Sequence, residues 1–352
     1  MTRVAAIDCG TNSIRLLIAD LDGHGGLTDV VRTLEVVRLG EGVDRTGRFS
    51  QAALDRTLAA VRAYADLCRE NGAERIRFVA TSATRDAANR AEFTDAVHAI
   101  LGVPVEVIPG TEEAELSFRG ALTALVASDP AAPADGSGSA AQAVDLDAST
   151  ALRTRSAPKH LVVDLGGGST ELVLGGNIPE AAYSMDVGCV RLAERTIVSD
   201  PPSDAELAAI RSDVSAALDV ATATVDLSQA TEVIGVAGTV TTITAHALGL
   251  TSYDPVAISG SRLPLAEVFR SCEALTRLPR AERAALPYMH PGRVDVIAAG
   301  AVIWATVLHR VADAAATAGH SFEWVTTSEH DILDGVALSL GNSAHDSPVL
   351  PV

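Results

Sequence analysis

The stretch LVVDLGGGSTELVLGG, Leu161 to Gly176, gathers the residue types that could handle a phosphorylated ligand. An apolar run ends on Asp164; Gly166, Gly167 and Gly168 follow; Ser169 and Thr170 lead into a second alternating run. Two β runs joined by a glycine-rich turn make a hairpin. Glycines at its tip let backbone amides approach an anion closely. A carboxylate at the strand end offers oxygen to a hydrated divalent cation. A single turn of this kind serves equally as a plain tight hairpin.

The chain carries the pattern twice. Ala5 to Asp20 reads AAIDCGTNSIRLLIAD, and an offset of 156 residues lays Asp8 on Asp164, Gly10 on Gly166 and Ser13 on Ser169. Repetition at that distance predicts two related domains, each with its own strand–turn–strand element, facing one another across a cleft. Two further corners share the chemistry. TSATRDA, Thr81 to Ala87, and AGTVTTITA, Ala237 to Ala245, each place hydroxyls between a strand and a helix. Such a corner contacts phosphate at a helix N-terminus or merely caps the helix. In PGTEEAELSFRG, Thr111 is expected to cap a helix whose first turn holds Glu112, Glu113 and Glu115. These acids serve the helix dipole, or one of them faces the cleft and orients a water.

The elements that must position these residues are α/β in pattern. Val4–Asp8, Ile14–Asp20, Leu27–Leu39, Ile76–Ala80 and Val105–Ile108 read as strands of the first half. Helices are expected from Ser50 to about Asn71 and over Ala91–Leu101. In the second half, strands are expected at Ala181–Val187, Val233–Val236 and Phe322–Thr326. Helices follow at Cys189–Val198, Ser203–Val225 and Leu263–Arg277, with a long buried one ending near Val311. Between the halves, Asp129 to Pro158 is rich in Ala, Ser, Asp, Gly and Pro without apolar periodicity and reads as a disordered insertion.

Composition narrows the function. The 352-residue chain has a formal charge of −18, which argues against non-specific nucleic-acid binding. Lys159 is the only lysine and lies in no motif, so a Walker-type P-loop is excluded. Cys9, Cys68, Cys189 and Cys272 form no CxxC pair, and small buried roles suit them. With no apolar run reaching the roughly 18 residues of a membrane span and no signal-like N-terminus, a cytoplasmic protein without membrane contacts is expected.

The repeated hairpins resemble the actin-like ATPase fold, in which two ribonuclease-H-like domains clamp a phosphorylated ligand. IDCGTNSIRLLIAD, TSATRDAANR, PGTEEAELSFRG, VVDLGGGSTELVLG, GVAGTVTTITA, HPGRVDVIAAGAVI and TSEHDILDGVAL, in that order, are similar to the exopolyphosphatase and guanosine pentaphosphate phosphohydrolase family. The resemblance implies a short two-domain form. Residues 1–127 would form the first domain, with helix 327–341 packing back on it. A disordered insertion over 128–158, a second domain over 159–326 and a flexible tail over 342–352 complete the expected layout.

The resemblance also implies roles. Glu113 matches the catalytic glutamate that orients the attacking water. Asp164 and Glu171 match acids of metal binding and catalysis, and Asp8 matches the metal-facing aspartate of the first hairpin. Thr11, Asn12 and Ser13, with Gly166 to Ser169, match the two phosphate loops. Arg15 departs from the family, many of whose members carry an apolar residue there, and is expected to add a phosphate contact; the two strand–hydroxyl–helix corners offer Thr81, Ser82 and Arg85, and Gly238 and Thr239, as further ones. Mg²⁺ is the expected cofactor, with Mn²⁺ as an alternative. Polyphosphate or guanosine pentaphosphate is the expected substrate, the latter linked to the stringent response, and a homodimer is expected. Two other classes share the hairpins: an actin-like kinase or ATPase binding adenosine near Gly238, and a non-catalytic nucleotide sensor. The order of the motifs and the EEAE helix favour hydrolysis.

Overall fold

The computed structural model describes residues 1–22, 26–128 and 158–341. Of the expected insertion over 128–158, residues 129–157 lie outside the described residues, as does the tail from 342 onward. Strands β1 (Thr2–Cys9), β2 (Ser13–Leu21) and β3 (Leu27–Val36) form an antiparallel meander. After helices α1 (Val43–Thr46) and α2 (Gln51–Glu70), β4 (Arg75–Ala80) returns parallel to β1. Helices α3 (Ser82–Asp86) and α4 (Arg90–Leu101) then lead to β5 (Val105–Val107), completing a sheet of order β3-β2-β1-β4-β5. Helix α5 (Gly110–Ser128) ends this half.

The second half repeats the plan. Strands β6 (His160–Leu165), β7 (Thr170–Gly175) and β8 (Pro179–Met185) make the meander. Helices α6 (Cys189–Thr196) and α7 (Asp204–Ala221) precede β9 (Glu232–Val236), parallel to β6. Helix α8 (Ala237–Ala247), the short α9 (Pro255–Ile258) and edge strand β10 (Arg262–Pro264) come next. They are followed by α10 (Leu265–Arg277), α11 (Arg280–Ala285) and α12 (Ile297–Thr317). Strand β11 (Trp324–Thr327) inserts between β9 and β10, giving β10-β11-β9-β6-β7-β8. Helix α13 (Ile332–Ser339) closes the described chain.

Local chemistry explains most boundaries. Ser50 accepts a hydrogen bond from the Ala53 amide at the start of α2, and Ser203 with Glu206 forms a full capping box on α7. Three expectations need correction. Strand β3 stops at Val36 because the amides of Val37 and Arg38 both turn to the Asn12 carbonyl, with Arg38 at φ 50°. Helix α5 begins at Gly110, and the amides of Glu112 and Glu113 donate to the Pro109 carbonyl, so Thr111 lies inside the first turn rather than capping it. Thr81 makes no side-chain cap on α3. A fourth correction concerns α12, which is long and apolar enough by length and composition to cross a membrane; 67% of its apolar window is buried in the fold. It is the central helix of the second half, packed on α7 and α10.

Helices α5 and α13 join the halves. Helix α5 packs on β6, β7 and β8, whereas α13 packs on β1 and β2 of the first sheet, and the two helices pack tightly on each other. They meet backbone to backbone: a side chain on Gly120 would collide with the Asp331 carbonyl, and one on Gly335 with the Leu116 carbonyl. Since neither carbonyl can move without its helix, Gly335→Ala is expected to destabilise the protein by about 3 kcal/mol, at the upper end of overpacking costs. Urea denaturation checks this, and a loss below about 0.5 kcal/mol, the level of neutral surface changes, would mean the helices are free to separate.

Candidate active site

Both hairpins close with the same turn. The Gly10 amide donates to the Ser13 carbonyl at 2.9 Å, and the Gly166 amide to the Ser169 carbonyl at 3.0 Å. The turns touch. A β-carbon on Gly168 would lie 2.6 Å from both Thr11 Oγ1 and Ser82 Oγ, which themselves share a 2.9 Å hydrogen bond. A β-carbon on Gly167 would stand 3.0 Å from Thr11 Cβ. Both hairpin turns and the α3 corner thus converge on one point, where only glycine leaves room.

A cleft of about 630 Å³ opens beside that point. Asp8, Thr11, Asn12, Ser13, Arg15, Thr81, Ser82, Glu113, Asp164, Gly166, Gly167, Ser169, Gly238 and Thr239 line it. Arg85, Gly168 and Glu171 stand behind this lining rather than on it. The third corner differs from the other two, because the Arg293 guanidinium covers Gly238, 2.6 Å from where its β-carbon would be, and bonds Thr242 at 3.0 Å.

The acids of the site are buried together. In the antiparallel register Asp8 faces Arg15 and Asp164 faces Glu171, so the repeat places an arginine and a glutamate at equivalent positions. Arg15 donates to Asp8 Oδ2 at 2.6 Å and also pairs with Asp331, the N-cap of α13. Its guanidinium is therefore engaged by two carboxylates instead of standing open to a phosphate. Arg85, also expected on phosphate, donates to Glu113 Oε2 at 2.6 Å and to the Ile108 carbonyl at 3.0 Å. Ser117, one turn after Glu113, donates to Asp164, and Ser184 donates to Glu171 at 2.7 Å.

Burial dominates the titration of these groups. Loss of water pushes the Glu113 carboxyl up to about 7, more than Arg85 pulls it down. Asp164 is likewise pushed up to about 7 by burial and then by the Asp331 charge. Glu171 is raised well above its ordinary value by burial, with Glu113 and Asp164 adding to it. Asp8 is raised by burial against the pull of Arg15.

Among the described residues no group of three or more His, Cys, Asp and Glu side chains forms a metal cage. The donors suit a cation that keeps much of its water. Asp8 Oδ1 and Asn12 Oδ1 are buried acceptors without any hydrogen-bond donor. Asp164 is a second carboxylate held high by burial beside other acids, and a hard divalent ion asks for only one or two such ligands.

Sequence reasoning missed Asp331, Arg293, Tyr253 and Glu329 as lining residues. Tyr253 donates to Glu329 at 2.6 Å, and the Arg293 guanidinium lies 5.7 Å from its ring centroid. Asp331 could have been singled out: it is the acidic residue of the TSEHDILDGVAL motif that opens a helix.

Two touching glycine–hydroxyl turns and, on the same cleft, a buried glutamate that titrates near neutrality define a phosphoanhydride hydrolase built on the actin-like ATPase fold. The chain belongs to the Ppx/GppA phosphatase family, whose sequence profile matches residues 17–158 and 146–325. It is 47% identical to Exopolyphosphatase 2 of Mycobacterium tuberculosis over 97% of this chain and 99% of that protein. The crystal structure of an exopolyphosphatase-like protein superposes with a TM-score of 0.85 at 44% identity, covering 97% of this chain and 98% of the other. The Aquifex aeolicus PPX-GPPA enzyme superposes with a TM-score of 0.71 at 26% identity, covering 96% and 99%.

A carboxyl whose folded pKa is raised holds its proton more tightly in the native state, so it costs stability as pH climbs from the unfolded value to the folded one. Asp164, ordinarily near 3.8 and here about 7, contributes such a loss across that window. Without divalent cations, Asp164→Asn is expected to be more stable than the wild type at pH 8 by at least about 1 kcal/mol, with the gap closing toward pH 4. Chemical denaturation at both pH values checks it; an equal or smaller gap at pH 8 would show that Asp164 keeps its charge without cost.

Proposed function

We propose that the protein is an exopolyphosphatase that releases inorganic phosphate from the end of a polyphosphate chain. Glu113 carries this reading. It is a carboxylate 8% exposed, poised near neutrality, in the first turn of α5 and on the lining of the cleft beside the two phosphate turns. A base with a pKa close to the working pH serves proton transfer best.

In this mechanism the turn amides of Gly167–Ser169 and the hydroxyls of Thr11, Ser13 and Ser82 hold the terminal phosphoryl group and its neighbour. Glu113 orients a water in line with the anhydride bond and takes its proton as the new P–O bond forms. The anhydride P–O bond breaks, and the electron pair leaves with the shortened chain. Glu171, at the strand position opposite Asp164, supports the same acid cluster. Asp8 and Asp164 would hold Mg²⁺, or Mn²⁺ in its place, and the ion would supply charge neutralisation to the phosphoryl oxygens.

Guanosine pentaphosphate is a second substrate on this reading. Tyr253, Pro255, Pro287 and Tyr288 make an aromatic and proline-rich wall in the same cleft, suited to a nucleobase. The same proposal takes in a cytoplasmic homodimer and a link to the stringent response through that nucleotide. Phosphate release from polyphosphate, guanosine pentaphosphate and ATP, with and without Mg²⁺, tests the reading. Release from ATP alone would move the protein to the ATPase class.

Glu113→Gln is expected to lower turnover by roughly 10²–10⁴-fold with substrate binding little changed. Glu112→Gln is the control, since Glu112 points to Arg77 rather than to the cleft, and Arg77 keeps Glu106 as a partner. Small, equal effects at the two positions would return both glutamates to dipole chemistry. In the same assay, Asp164→Asn is expected to raise the Mg²⁺ concentration needed for half-maximal activity by about tenfold or more, one charged oxygen ligand having been removed. An unchanged Mg²⁺ titration would take Asp164 out of the metal's surroundings.

A further inference from the structure

Arg191, on α6 of the second half, is not among the residues lining the cleft, yet its side chain is 12% exposed and all three guanidinium nitrogens are engaged. Its Nε donates to the Gly168 carbonyl of the second phosphate turn at 2.7 Å. The other two nitrogens cross to the first half: Nη1 meets Asp44 at 2.7 Å and Nη2 meets Asp86 at 2.5 Å. Around it, Arg195 pairs with Asp44 at 2.8 Å, and the Glu194 carboxylate accepts the Gly42 amide at 3.0 Å.

Asp86 is the last residue of α3. At the other end of that one-turn helix Ser82 meets Thr11 beside Gly168, and between them Arg85 grips Glu113. Any change in the Arg191 fork therefore shifts the second phosphate turn against the helix that carries Arg85. Asp44, held below its usual range first by Arg195 and then by Arg191, is charged and available for this tie at neutral pH. A planar fork satisfies three acceptors in fixed directions, which a lysine's point charge does not.

We infer that Arg191 is a positioning residue that ties the second phosphate turn to the first half and so sets the closed spacing of the two phosphate turns. The inference rests on the hydrolase reading of the cleft. Its role is to hold the Gly168 turn, Asp44 and Asp86 in one arrangement before substrate arrives. Losing it leaves the turns able to bind phosphate only after they have been brought together, so binding is taxed and the chemical step is spared.

The test compares wild type, Arg191→Met, Arg191→Lys and the double variant Asp44→Asn/Asp86→Asn. Phosphate release from polyphosphate gives kcat and KM, and small-angle scattering without substrate gives the separation of the halves. Arg191→Met is expected to raise KM about tenfold, in the range of ordinary coupling between sites, to leave kcat within about threefold, and to widen the substrate-free form. Arg191→Lys is expected to recover only part of KM. The acid pair variant keeps the Gly168 bond and is expected to reproduce the Arg191→Met effect, adding little when combined with it, as for members of one network. Unchanged KM with unchanged separation overturns the inference, as does a fall in kcat at constant KM, or full additivity of the two changes. Should the wild type release no phosphate from polyphosphate, the hydrolase reading fails, and the substrate-free separation alone still decides whether Arg191 ties the halves.

Discussion

Two helices touch where neither has a side chain to spare. Leu116 and Gly120 of α5 meet Asp331 and Gly335 of α13 at backbone distance, and three of the groups at the centre of the site hang on that contact. Glu113 and Ser117 sit one turn apart on α5, on the side that reaches the cleft. Asp331 begins α13 and reaches back to Arg15 on β2. Because α5 lies on the second sheet and α13 on the first, a shift at this crossing would move the glutamate, the serine on Asp164 and the aspartate on Arg15 together. Rigid placement of a proton acceptor against a separately held phosphate is what positioning catalysis requires.

The second constraint is electrostatic. A chain of net charge −18 that handles a polyanion cannot rely on its overall field. Within the cleft the problem is sharper, since Asp8, Glu113, Asp164, Glu171 and Asp331 are all nearly buried. Arginine relieves part of it: Arg15 serves Asp8 and Asp331, and Arg85 serves Glu113. Asp164 and Glu171 receive only serine hydroxyls, so burial governs them and they hold protons more tightly. The region is destabilised on its own and is stabilised by whatever positive charge enters with the ligand, a familiar tension between stability and activity.

Much of this was legible in the chain because it is written twice. The internal repeat located both turns, and their identical Gly-to-Ser hydrogen bonds follow from matched residues at matched spacing. Helix starts marked by Ser50 and Ser203 were equally readable, since each cap is a local event. What escaped depended on distant partners. Nothing near Arg15 in sequence announces Asp331, 316 residues away. Nothing near Gly238 announces that Arg293 covers it. Arg85 reads as a phosphate ligand from its place in TSATRDA, while its bond to Glu113 needs the fold to bring the end of α3 to the first turn of α5. Thr111 misled because a proline carbonyl, not a side chain, receives the first amides of α5.

The cross-strand pair opposite each aspartate has a consequence of its own. A unit used twice brings two copies of every charge, and a two-fold arrangement of identical hairpins would present a linear phosphate chain with equivalent ends. Here one member of the pair is Arg15 and the other is Glu171. That single inequality gives the cleft a sense of direction: one side carries a fixed cation between two acids, and behind the other stands an acid that burial makes hold its proton more tightly. A chain molecule lying between them cannot be turned end for end without changing its energy. The halves are alike in architecture and unlike in charge at one place, so the repeat supplies the frame and its defect supplies the polarity.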